Sequence, residues 1–217
     1  MVSEIHEYPS RNPNFPHNLD IHPSAIPISA QSRLQKDAPH FEAAFGSAAQ
    51  EVAILQYVIA GRVWEASYAM TLYIDPPPNL DFDPPLFNAS ESESSRSIAI
   101  VKLGSGSGLV ASTLSTLLNP SRDYLVATNL PKVCKLLEAN LMAVSLLSSN
   151  PSVRGPGVTI SPVSLGNHDD ALALASAFRD ESTNRLTFGS LTHTICSDLV
   201  TWGNTICLFC GNIYRLR

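Results

Sequence analysis

The residues best placed to take part in chemistry lie in Leu103-Gly104-Ser105-Gly106-Ser107-Gly108, a G-x-G-x-G run. Glycines let a chain turn sharply and bring its backbone close to a ligand. A dinucleotide fingerprint requires Gly or Ala at the sixth place, which is Leu109 here, and a P-loop requires Gly-Lys-Ser/Thr, which is absent. A nicotinamide-dependent oxidoreductase is therefore a distant alternative, further disfavoured by Asn129 where an acid would be needed. Cys207 and Cys210 form a C-x-x-C, half of a zinc site. No second pair and no well-spaced histidine pair accompanies it, so two thiols in an apolar tail is the plainer reading and no metal is expected. His168 and His193 stand alone in sequence and read as loop or sheet-end residues rather than catalytic bases.

A glycine run of this kind needs a strand before it and a helix after it, and the pattern supplies both. Ile98 to Leu103 is a short apolar run suited to a buried strand, and Val110, Leu114, Leu117 and Leu118 then fall at helical spacing. Tyr124 to Thr128 reads as a second strand. Pro131 suits a first helical position, with Val133, Leu137, Leu141 and Val144 along one face. Val158 to Val163 is a third strand, and Asn167 is placed to cap the next helix, with Asp169 and Asp170 near its positive end. Ala171, Leu174, Ala175 and Phe178 form that helix's stripe, and Thr192 to Cys196 is a fourth strand. Such alternation implies right-handed βαβ units and an α/β fold, a parallel sheet with helices on both faces.

Upstream, residues 64 to 74 read as a helix with Ala66, Ala69, Met70 and Tyr73 on one face, ended by Asp75-Pro76-Pro77-Pro78. Residues 75–96 are Pro-, Asp- and Ser-rich and read as a loop. Residues 1–40, rich in Pro, Asn, Ser and His, read as a disordered arm. The apolar fraction of 44% predicts a packed core. A net charge of −5 argues against nucleic acid as a partner. There is no run of 18 apolar residues and no signal-peptide pattern, so no membrane span is expected. Asn88-Ala89-Ser90 is a sequon in form, read here as polar loop. The expected compartment is the cytoplasm, with the nucleus open as a second.

Five motifs in order carry a resemblance: Arg62-Val63-Trp64-Glu65-Ala66, the loop Leu103 to Leu109, Ala127-Thr128-Asn129-Leu130-Pro131, Leu136-Leu137-Glu138-Ala139-Asn140, and Ser197-Asp198-Leu199-Val200. Together they resemble the lysine-methyltransferase-like family of seven-strand, Rossmann-like S-adenosylmethionine enzymes over roughly residues 50 to 202. The resemblance implies S-adenosylmethionine as cofactor and a protein lysine as substrate. It implies cofactor contacts from Trp64, Gly104, Ser105, Gly106, Gly108, Asn129, Leu130, Leu165 and Ser197, with Asn129 reaching the ribose hydroxyls and Trp64 lying over the site. Asp198 is the implied catalytic residue, beside the transferring methyl. Methyl transfer asks mainly for alignment and a neutral amine, so no catalytic triad is sought.

Four positions depart from the family's usual pattern. Lys102 stands where an acid usually helps hold the cofactor's ammonium end, and Asn129 replaces an aspartate, a loss on the order of 1 kcal/mol or more. Restoring acids at both positions is expected to strengthen binding. Leu165 stands where Trp is common, and Thr201 where Tyr is usual. The expected domain is residues 41–202, followed by an atypical tail, 203–217, in place of the family's last strands. A truncated or altered product is expected, with the fourth strand an exposed edge prone to self-association. Thr205 to Phe209 could pair beside it through a turn at Gly203-Asn204.

Overall fold

Strand β1 (Ala99–Leu103) is buried along its length except at its last residue, as a strand with sheet on both sides and helices above and below must be. The computed structural model describes residues 21–25, 38–83, 85–87, 97–147, 158–164, 166–176, 178–180, 185–186, 191–196 and 212–215. In it, β1 pairs in parallel with β2 (Tyr124–Asn129) on one side and with β6 (His193–Cys196) on the other. β2 pairs in parallel with β3 (Val158–Pro162). A last strand, β7 (Asn212–Arg215), runs antiparallel along β6, giving the order β3-β2-β1-β6-β7. Two short strands, β4 (Arg179–Asp180) and β5 (Arg185–Leu186), form a separate antiparallel pair. Four parallel strands with interleaved helices make this a Rossmann-like α/β fold.

Strand alternation divides the core into two layers. Ile100, Leu125 and Ala127 join Met70, Ile74, Val110, Leu114, Leu137 and Ile195 in one buried cluster. That layer is covered by α3 (Glu65–Ile74), α4 (Leu109–Leu117) and α5 (Cys134–Leu147). The next residues along the strands, Val101 and Val126, instead meet Phe178 and Leu191, with Leu174 of α6 (His168–Ser176) packed against them. Asn167 caps α6 as its position predicts, its Oδ1 accepting from Asp169 N at 2.9 Å and Asp170 N at 3.4 Å.

Two helix faces differ from the sequence-based expectation. In α3 the buried residues are Tyr68, Met70, Thr71 and Ile74, while Ala69 is exposed and Ala66 only half-buried. The helix is wedged between two clusters, Met70 and Ile74 entering one and Tyr68 the other. Large side chains therefore take both flanks and the alanines are left outside. In α4, Leu117 faces solvent and the buried face is Val110, Ala111 and Leu114.

Within the arm expected over residues 1–40, residues 21–25 and 38–40 are described, and α1 (Ala38–Phe45) begins at its end. Ser24 is buried and its hydroxyl donates to Val63 O. Gln50, on α2 (Ser47–Tyr57), uses its whole amide here. Its Nε2 donates to Phe45 O (2.8 Å) and Ser24 O (3.3 Å), and its Oε1 accepts from Val63 N (3.0 Å) and Ser24 N (3.1 Å). Polar residues can sit this deep because their partners are satisfied inside. Ser24→Ala is expected to lower stability by about 1–2 kcal/mol by orphaning Val63 O. Urea unfolding checks this, and an unchanged midpoint would mean that the segment contributes nothing.

Phe41–Gly61 has by composition the length and apolarity of a membrane-crossing helix. Here it is interrupted at Gly46, tightens to a 3-10 turn at Val58–Gly61, and buries Phe41, Ala44, Phe45 and Ala53 inside the domain. The loop expected over 75–96 is irregular where described, yet Leu86 enters the core and Phe82 packs edge-on against Tyr73.

The edge of the fourth parallel strand is not open, which corrects the expected route to self-association. β7 covers it, with Cys196 opposite Asn212 and His193 opposite Arg215. An antiparallel partner from the tail was expected, but from Thr205 to Phe209; those residues lie outside the described ones, and the pairing strand is Asn212–Arg215. The outer strands of the sheet are β3 and β7.

His193 is buried at the start of β6, with Nδ1 2.8 Å from Thr192 Oγ1 and its ring edge-on to Phe87. Burial pushes its pKa below the ordinary 6.5. Below pH 6.5 the unfolded chain therefore takes up a proton that the folded chain refuses, and stability falls as the pH drops towards the folded pKa. The expected slope approaches about 1.4 kcal/mol per pH unit at most. His193→Gln should flatten the unfolding free energy across that window; an equally steep acid limb in the variant would assign the loss to other groups.

Candidate cofactor site

Between β1 and β6 the sheet order reverses direction, since β2 and β3 build to one side of β1 and β6 lies on the other. In open α/β sheets, ligands bind in the crevice outside the carboxyl ends of the strands at such a point. The glycine run leaves β1 there. Gly104, Gly106 and Gly108 all have positive φ, 58°, 55° and 101°, which L side chains rarely adopt. Gly108 is also the N-cap of α4. A Cβ placed on Gly106 would meet no atom within 4 Å, so the loop is open at its middle glycine.

The end of β2 is stitched to this loop. Thr128 O accepts from Ser105 N (2.8 Å) and Thr128 Oγ1 from Gly104 N (3.3 Å). Asn129 Nδ2 donates to Gly106 O at 2.8 Å, and Asn129 Oδ1 accepts from Leu130 N at 3.1 Å. Asn140, buried on α5, donates from Nδ2 to Ser107 O at 2.7 Å. Lys102 is 1% exposed, and its Nζ donates to Leu103 O (2.9 Å) and Gly104 O (3.3 Å). Cys196 is buried across from Leu103; burial raises its thiol pKa and the Lys102 charge opposes that rise. Cys134 lies at the start of α5 with Sγ 3.7 Å from Asn129 O, and its pKa is raised by burial and then by Glu138. Neither cysteine is set up as a thiolate nucleophile.

Of the residues expected at the site, Gly104, Ser105, Gly106, Gly108, Asn129 and Leu130 are brought together at the ends of β1 and β2. Trp64 is the N-cap of α3; its Nε1 donates to Ile59 O (3.1 Å), and the Arg62 guanidinium lies 4.7 Å over its ring. Its neighbour Val63 shares a buried cluster with Leu109, the first residue after the loop. Leu165, Ser197 and Asp198 lie outside the described residues, as do Thr201, Cys207 and Cys210. Among the described residues, no group of three or more His, Cys, Asp or Glu could hold a metal ion. Thr128 and Asn140 were missed as loop partners. Asn140 carried a signal, since a polar residue beside Leu137 and Leu141 on the buried face needs an internal partner.

Residues 50–154 match a family model described as lysine methyltransferase. Over this segment, a little under half of its 217 residues, the chain is similar to that family. It runs from α2 past the end of α5 and contains β1, the glycine loop and β2 with their stitching side chains. β6 and Asp198 lie beyond the matched residues. No curated protein matches the chain significantly. Within the matched segment, the glycine loop is thus the built part of the site: an ordered turn with open space over Gly106, set where the sheet reverses.

Proposed function

We propose that this chain is an S-adenosylmethionine-dependent methyltransferase acting on a protein lysine, working in the cytoplasm. The observation that carries the reading is the open loop of three positive-φ glycines at the sheet reversal, inside the segment similar to the lysine methyltransferase family. The residues present fit such a cofactor. The space over Gly106 leaves room for close backbone approach, and Asn129 Oδ1 keeps one lone pair for a hydroxyl after accepting from Leu130 N. Leu130, exposed beside it, offers an apolar contact.

The cofactor, when bound, supplies an electrophilic methyl on sulfur. The chain's part is to orient it and to present a neutral amine in line, so positioning carries most of the rate. Asp198 follows the end of β6 by two residues in sequence, and its assigned role is to hold the lysine amine and take up its proton. A second reading, a cofactor-binding module without transfer, draws support from Lys102 and Asn129, which direct donors to the loop where the resemblance implied acids for the ligand. Incubation of the full chain with methyl-tritiated S-adenosylmethionine and lysine-containing peptide arrays separates the two. The first reading expects label that disappears when lysine is replaced by arginine; binding without label on any peptide would select the second.

A further inference from the structure

The order of the glycine loop comes from its carbonyls. Leu103 O and Gly104 O accept from Lys102 Nζ, Ser105 O from Gly108 N, Gly106 O from Asn129 Nδ2, Ser107 O from Asn140 Nδ2, and Gly108 O from Ser112 N. Every carbonyl from 103 to 108 is engaged, four of the six by side chains from three separate places: β1, β2 and α5. A tight turn with three left-handed glycines has many alternative shapes, because glycine restricts its backbone so little. Engaging each carbonyl removes those alternatives, and side chains that are themselves buried lose little entropy in doing so. The orientation of Asn129 is fixed by both ends of its amide: Leu130 N demands an acceptor, so Oδ1 faces it, and Nδ2 must then face Gly106 O.

We infer that Lys102, Asn129 and Asn140 are positioning residues that together clamp the carbonyls of the glycine loop and hold it in its ligand-receiving shape. This rests on the loop being the cofactor site proposed above. It reverses the expectation drawn from the sequence for acids at 102 and 129. A carboxylate at 129 would face Gly106 O, acceptor against acceptor, and one at 102 would leave Leu103 O and Gly104 O without their donor. Both replacements should weaken binding.

Asn129→Asp tests the assignment, because the two roles give opposite pH profiles. As a clamp, an ionised carboxyl cannot donate to Gly106 O, so affinity for S-adenosylmethionine should fall about tenfold at pH 7.5. It should recover as the pH is lowered and the protonated carboxyl regains a donor. The neighbouring thiol of Cys134 stays protonated throughout, its pKa being raised, and a further charged group at the loop is Lys102 on β1. If Asn129 served the ribose alone, with its bond to Gly106 O immaterial, the same variant would bind more tightly at pH 7.5 and lose affinity in acid, which would overturn the clamp. Amide exchange of residues 104–109 in the free protein supplies the readout that needs no ligand. Asn140→Leu and Lys102→Met should each speed exchange of those amides about tenfold while leaving β2 amides unchanged. Unchanged loop exchange in both would overturn the assignment. Faster loop exchange in a chain that binds no S-adenosylmethionine at all would uphold the clamp and refute the cofactor reading instead.

Discussion

Replacing Gly106 with valine is expected to abolish cofactor binding, weakening it on the order of 100-fold or more, equivalent to about 2.7 kcal/mol. Two effects add. Gly106 sits at φ 55°, where a β-branched residue is disfavoured by roughly 1–2 kcal/mol, and the loop must distort or store that strain. The valine methyls would also occupy the space over the loop that is open now. Because no atom lies within 4 Å of the added Cβ, the fold itself has no clash to resolve, so the loss in stability should stay near the strain alone. Calorimetric titration checks affinity, and circular dichroism checks that the variant is folded. Unaltered affinity in a folded Gly106→Val chain would remove the glycine loop from the site.

Gly61→Ala is expected to be the most damaging small substitution for the fold. Gly61 ends the 3-10 turn Val58–Gly61, which folds back so tightly that an added Cβ would lie 2.2 Å from Ala53 C and 2.3 Å from Ala53 O. These are backbone atoms of α2 and cannot swing aside as a side-chain tip can. Relief requires moving the turn away from the helix, and with it Val63, whose N–H donates to Gln50. Overpacking of this kind costs about 3 kcal/mol or more, a fall in Tm on the order of 10 °C for a chain of this size. Thermal unfolding measures it, and a midpoint within a degree or two of the unaltered chain would mean that the turn is far looser than described.

Much of the fold could be read from the sequence because its signals are local. Four apolar runs separated by helical periodicity place β1, β2, β3 and β6 within a residue or two, and Asn167 marks the start of α6 through a cap that depends only on its near neighbours. What escaped was set by contacts distant in sequence. Ser24 looks like part of a polar arm until Gln50 and Val63 are brought around it. Tyr68 rather than Ala69 is buried because α3 meets two clusters at once, which a single hydrophobic stripe cannot express. Within the site, the glycines announced themselves by type and spacing, since few other reasons exist for three in five residues. The directions of the Lys102 and Asn129 side chains did not, because residue type alone leaves open whether a polar group serves the ligand or the loop. Here the carbonyls of Gly104 and Gly106 claim them.

The central claim, that the ends of β1 and β2 form an S-adenosylmethionine cradle, is tested most directly by calorimetric titration of the 217-residue chain with S-adenosylmethionine at pH 7.5. The expected result is a single saturable site that S-adenosylhomocysteine competes for. A folded chain that gives no saturable heat, or that binds without competition from S-adenosylhomocysteine, would contradict it.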